Sequence, residues 1–164
     1  MSRQESDRED LLREATALVE RVEVRLPEER ESIVAGFRRD GAASFFFGAD
    51  PVYQFNAAGE LRRAYVGGLL YKTARGQLVE MRRERTAEAV ELHSRQLDAA
   101  ETIAFFSRAD AALDRLKSAL AATRFEVVGQ VSDDMGSPNV VAKVSAWLAA
   151  RPGVISLAQT SRLK

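Results

Sequence analysis

The stretch PVYQFNAAGELRRAYVGGLLYKTARGQLVEMRR, from Pro51 to Arg83, decides the fold. It holds three turn signals, Ala57-Ala58-Gly59, Gly67-Gly68 and Ala74-Arg75-Gly76, with short apolar or alternating runs between them. That is the pattern of an antiparallel β-meander. Asn56-Ala57-Ala58-Gly59 suits a type I turn followed by a glycine in the left-handed region, a three-residue hairpin loop with a bulge at the turn. Such a turn sets Asn56 opposite Glu60 and Phe55 opposite Leu61. The Gly67-Gly68 turn sets Val66 opposite Leu69 and Tyr65 opposite Leu70. A third turn with Gly76 left-handed sets Thr73 opposite Gln77 and Tyr71 opposite Val79.

Side chains alternate along a strand, so these registers sort the meander into two faces. One carries Val52, Ala64, Val66, Leu69, Tyr71, Val79 and Met81, with Gln54 and Arg62 toward its edge. It reads as the core face. The other carries Tyr53, Phe55, Leu61, Tyr65, Leu70 and Leu78, mixed with Arg63, Lys72, Glu80 and Arg82. On that face Tyr53, Phe55 and Tyr65 could stack bases while Arg63, Lys72 and Arg82 meet phosphates. The same face could be covered by other parts of the chain, with its charges snorkelling at the rim, or could contact a protein.

The flanking sequence adds elements in order. Ser6 or Asp7 caps a first helix over about 6–19, carrying Leu11, Leu12, Ala15, Leu18, Val19 and Val22 at helical spacing. The alternating run Glu20–Leu26 reads as a strand, and Ser32–Arg39 as a second. Asp40-Gly41 is a hairpin turn leading to Ala43–Phe47, apolar throughout and central. Thr86–Gln96 is ambiguous between strand and helix. Asp98 with Glu101 makes a capping-box pair. Beyond it Phe106, Ala109, Leu113, Leu116 and Leu120 line one helical stripe to about Ala122. Phe125–Ser132 is strand-like, and Ser137-Pro138 opens a short final helix carrying Val140, Val141, Val144, Trp147 and Leu148. Val154–Ala158 reads as an edge strand.

The expected fold is one α+β domain over 1–164. A mainly antiparallel, curved meander sheet of about six to eight strands is packed by the long helix and the shorter final helix. The β-rich core runs over about 20–96 and a helix-strand-helix segment over about 98–158.

Composition narrows the setting. The chain has 164 residues, 46% hydrophobic and 29% charged, which is ordinary for a globular domain. It has no cysteine, which excludes disulfides and thiolate metal sites and fits a reducing compartment. The charged N-terminus shows no signal segment, and no apolar run approaches a membrane span. These features point to a cytoplasmic protein. Net charge is zero, from 24 basic and 24 acidic residues. The basic excess is local, with 9 basic and 5 acidic residues over 32–85 against 6 and 10 over 1–31. Of the basic residues 20 are arginine and only 4 are lysine, a bias that fits a GC-rich bacterial genome.

Two pieces resemble known patterns. QFNAAGELRRAYV looks like one unit of the tyrosine-aspartate hairpin repeats of bacterial surface and toxin shells, and the likeness implies a hairpin. VVGQVS followed by VAKVSAWLAARPGVISL looks somewhat like the second half of a small αββαβ lipid-associated bacterial module, and implies strand, helix, strand. Neither resemblance carries a function over.

Catalytic and metal motifs are sparse. His93 is the single histidine; Glu91 shares its face in a strand, but no nucleophile motif accompanies the pair. Asp133-Asp134 lacks the alternating acidic positions of a calcium loop. The glycines at 59, 67, 68 and 76 do not stand between a strand and a helix start, so they form no phosphate loop. No cofactor is expected. The function expected is non-enzymatic, through contact with a protein partner or a second copy of the chain. The alternative is binding of single-stranded nucleic acid, RNA in particular, by the face bearing Tyr53, Phe55, Arg63, Tyr65, Lys72 and Arg82.

Overall fold

The computed structural model describes residues 9, 12–28, 30–47, 50–66, 69–74, 77–133, 139–151 and 153. At 50–52, 65, 66, 69–74, 77, 81–83 and 92 it describes the backbone alone. Eight strands follow one another as an antiparallel meander: β1 Glu20–Leu26, β2 Glu31–Phe37, β3 Ala43–Phe47, β4 Asp50–Phe55, β5 Leu61–Val66, β6 Leu69–Ala74, β7 Gln77–Arg85 and β8 Val90–Gln96. Helix α1, Ala99–Ala121, comes next, then β9 at Glu126–Ser132 and helix α2 at Val140–Ala150. The spatial order is β8-β7-β6-β5-β4-β3-β2-β1-β9. Among the described residues the sheet therefore has nine strands, more than the meander pattern suggests, because β9 returns across the molecule to pair antiparallel with β1. The ambiguous 86–96 segment is the strand β8, held antiparallel to β7.

Local sequence explains each boundary. In β1 buried and outward residues alternate strictly, so Val22, Val24 and Leu26 enter the core while Arg21 and Arg25 stay in water. Gly41 takes φ +87° in the β2–β3 hairpin, where the Asp40 carboxylate accepts the Ala42 N–H at 3.1 Å. Gly59 takes φ +84° in the β4–β5 turn, and Asn56 donates its N–H to the Glu60 carbonyl at 3.0 Å. The QFNAAGELRRAYV segment is thus a hairpin. Asp98 caps α1 through a complete capping box. It accepts the Glu101 N–H at 2.8 Å, and the Glu101 carboxylate accepts the Asp98 N–H at 3.2 Å. Helix α2 starts later than the Ser137-Pro138 signal indicates. Its cap is Asn139, whose side chain accepts the Val141 N–H at 2.9 Å. Ser137, Pro138 and the Val154–Ala158 segment lie outside the described residues.

Both helices bury their stripes against one sheet face. Phe105, Ala109, Leu113, Leu116 and Leu120 of α1 and Val140, Val144 and Leu148 of α2 join Val22, Val24, Ile33, Ala35, Phe37, Phe45 and Phe55 in one core cluster. Trp147 of α2 centres an aromatic group, with ring centroids 5.2 Å from Phe55, 5.5 Å from Phe45 and 6.3 Å from Phe37. Two cations, Arg151 and Lys143, fix α2. Arg151, 4% exposed, reaches Asp110 at 3.3 Å and Asp114 at 3.5 Å on successive turns of α1. Lys143 pairs with the buried Glu20 of β1 and lies 5.0 Å over the Phe37 ring. Among the described residues no helix is long and apolar enough to cross a membrane.

Candidate interaction surfaces

A bulge between β4 and β5 separates the aromatic from the basic residues of the meander. Phe55 stands opposite Leu61, as the turn requires. One step further Gln54 pairs with Arg63, and Tyr53 pairs with Ala64 rather than Arg63. Arg62 is the extra residue on β5. An odd insertion switches the face of every later side chain. Tyr53 and Phe55 therefore share the helix-covered face with Leu61 and Ala64, while Arg63 goes with Gln54 to the opposite face. Tyr53 is 4% exposed and Phe55 is fully buried. Burial pushes the Tyr53 phenol up to about 12, because a phenolate there would lack water. These two rings form core, and base stacking on them would require the helices to leave.

The third turn also differs from the sequence register. Ala74 pairs with Gln77, Thr73 with Leu78, Lys72 with Val79 and Tyr71 with Glu80. A two-residue connection replaces the three-residue one, and the one-residue shift sends Leu78, not Val79, fully into the core. The ladder sets Lys72 opposite Arg63, Tyr65 opposite Leu70, and Arg82 between Leu69 and His93. The side chains of Tyr65, Lys72 and Arg82 lie outside the described residues. Of the six residues proposed as one face, the structure gathers Tyr53 and Phe55 in the core and sets Arg63 on the far side of the sheet.

Arg63 instead meets the N-terminal helical residues. With Arg13, Glu14, Ala17 and Arg38 it lines a cavity of about 370 Å³. Leu18 anchors this segment by packing directly on Gly36 of β2. Arg38 is already engaged, by Asp40 at 3.2 Å and by Glu14 Oε1 at 3.9 Å. Among the described residues, Arg63 Nη1, Glu14 Oε2 and the neighbouring Gln54 Oε1 are buried without a hydrogen-bond partner. Arg13, Glu14 and Arg38 carried no signal in the sequence, since folding alone brings them beside Arg63.

The remaining motif residues are plain. His93 stands exposed on β8 between Glu84 at 3.4 Å and Glu91 at 3.3 Å. No group of acidic, histidine or cysteine residues among the described residues is arranged to hold a metal. Asp133 donates its N–H to the Val19 carbonyl at 2.8 Å, ending β9, and Asp134 lies outside the described residues.

The two sheet edges contrast. Edge β8 presents Glu91, His93 and Arg95, charges that discourage strand addition. Edge β9 is exposed along its whole length and presents Val127, Val128 and Val131 at 42%, 46% and 46% exposure. Its guards among the described residues are the exposed carboxylate of Glu126 and a bulge against Glu23 and Val24 that leaves Val128 unpaired. The stripe of α1, by contrast, is consumed within its own fold. No family model, no curated protein and no solved structure matches this chain.

Proposed function

We propose that this chain is a cytoplasmic bacterial protein that acts without catalysis, by contact with another protein through the surface of β9. One observation carries the reading: an edge strand bearing three exposed valines beside a covered sheet face. Exposed apolar side chains along an edge strand favour burial against a partner, at about 25 cal/mol for each Å² covered, and the ladder sets Val127 beside Val24 on the helix-covered side and Val131 beside Arg21 on the other. The bulge disfavours a long added strand, so the valines themselves are the contact. The cytoplasmic setting draws on the absence of cysteine, and the bacterial source on the arginine-rich, lysine-poor composition.

The test is co-purification with tagged chain from cells of its source. Wild type and Val90→Lys, which alters the opposite edge, should retain the same partner. Val131→Lys should lose it. Equal recovery by both lysine variants, or no partner with wild type, would overturn the assignment.

A further inference from the structure

We propose that the cavity between the N-terminal helical residues and β5 binds a small zwitterion of the free amino-acid type. The reading is independent of β9. Its ground, among the described residues, is a pair of polar atoms with no hydrogen bond. Arg63 Nη1, a guanidinium donor, and Glu14 Oε2, a carboxylate acceptor, are both buried without a partner, and both residues line the cavity. They end in one space without joining. A buried donor or acceptor atom left without a hydrogen bond is costly, and a bound ligand is one way to satisfy it. A ligand that satisfies both brings a carboxylate to Arg63 and an ammonium to Glu14. Charge-assisted bonds of both kinds are the strong ones.

The surroundings agree with that class. Asp40 and Glu14 Oε1 hold Arg38 in place as a wall rather than a competing site. Among the described residues Ala17 is the one apolar lining residue, so the walls select a polar molecule. At about 370 Å³ the space lies at the small end of ligand pockets, room for one amino acid and a few waters. The described lining sets three guanidinium groups, of Arg13, Arg38 and Arg63, beside the one carboxylate of Glu14, so the Glu14 variant separates a zwitterion from a simple anion.

The standard free amino acids, pooled and observed by saturation-transfer NMR against the full chain, supply the probes, with inorganic phosphate as the comparison. The best probe is then titrated calorimetrically. Saturable binding is expected. Arg63→Gln and Glu14→Gln should each weaken it about tenfold or more. Ala17→Leu should block it by filling the space while leaving every charge, and melting curves confirm that each variant is folded. The sign for Glu14→Gln decides the class, because removing that carboxylate weakens a zwitterion and strengthens an anion. Binding of phosphate alone, an unchanged or tighter Glu14→Gln complex, or no saturable binding by any amino acid would overturn the proposal.

Discussion

Gly36 shows how one missing side chain places an element. A Cβ built there would lie 2.2 Å from Leu18 Cδ1 and 3.1 Å from its Cγ. Leu18 is itself buried and is the point where the N-terminal segment meets the sheet. Gly36→Ala must therefore displace the end of the Leu18 side chain, at a cost of about 1 kcal/mol, the low end for overpacked sites because a leucine methyl can rotate aside. Urea unfolding should report that loss, and amide exchange should show faster exchange at Leu18 and Val19. An unchanged midpoint would mean that Leu18 is not seated on Gly36. Tyr53 gives a second test at this scale. Its phenol ionises near 10 in the unfolded chain and at about 12 in the fold. The native state then keeps its proton where the unfolded state releases it. Stability is full below pH 10 and falls as pH rises from 10 toward 12, by about 2 kcal/mol. Tyr53→Phe should remove that alkaline slope in denaturation midpoints measured across the window.

At the scale of elements, the start of α1 rests on a reciprocal pair. Asp98→Ala removes the cap of the Glu101 N–H and should cost about 1 kcal/mol in thermal or urea unfolding. Glu101 also serves the sheet. Its carboxylate accepts from Arg95 of β8 at 2.7 Å and from the Asp98 N–H, in that order of effect, and is lowered from 4.5 to about 2. A depressed carboxylate stabilises above its unfolded value and loses that contribution as it protonates. Stability from this contact is thus present above pH 4.5 and lost between 4.5 and 2. Glu101→Gln should flatten the wild-type decline within that window, and an unchanged acid slope would show that the contact is not formed. Capping and alternation were legible because they are local. The bounds of β1 and β3 follow from the sequence, and so do the Asp98–Glu101 box and the glycine turn after Phe55. The β4–β5 bulge was not legible, since Leu61-Arg62-Arg63-Ala64 offers no alternation that singles out Arg62 as extra. The two-residue turn after Ala74 was hidden in the same way, because a three-residue turn fits the same letters.

Across the whole molecule, what the sequence left open is what depends on distant parts of the chain. Nothing in Glu126–Ser132 says that it crosses back to β1, so the exposed valine edge could not be foreseen. The cavity residues 13, 14, 38 and 63 meet only after the N-terminal segment docks. The aromatic and basic residues of the meander looked like one surface because both faces of an unbulged hairpin would have allowed it. The bulge makes Tyr53 and Phe55 core and sets Arg63 on the opposite face. The most direct test is the backbone contact pattern of the β4–β5 hairpin by nuclear Overhauser spectroscopy. Cross-strand contacts pairing Tyr53 with Ala64 and Gln54 with Arg63, together with ring contacts from Trp147 to Phe45 and Phe55, are the expected result. Contacts pairing Tyr53 with Arg63, with no Trp147 contact to Phe55, would restore a single aromatic and basic face and contradict the fold described here.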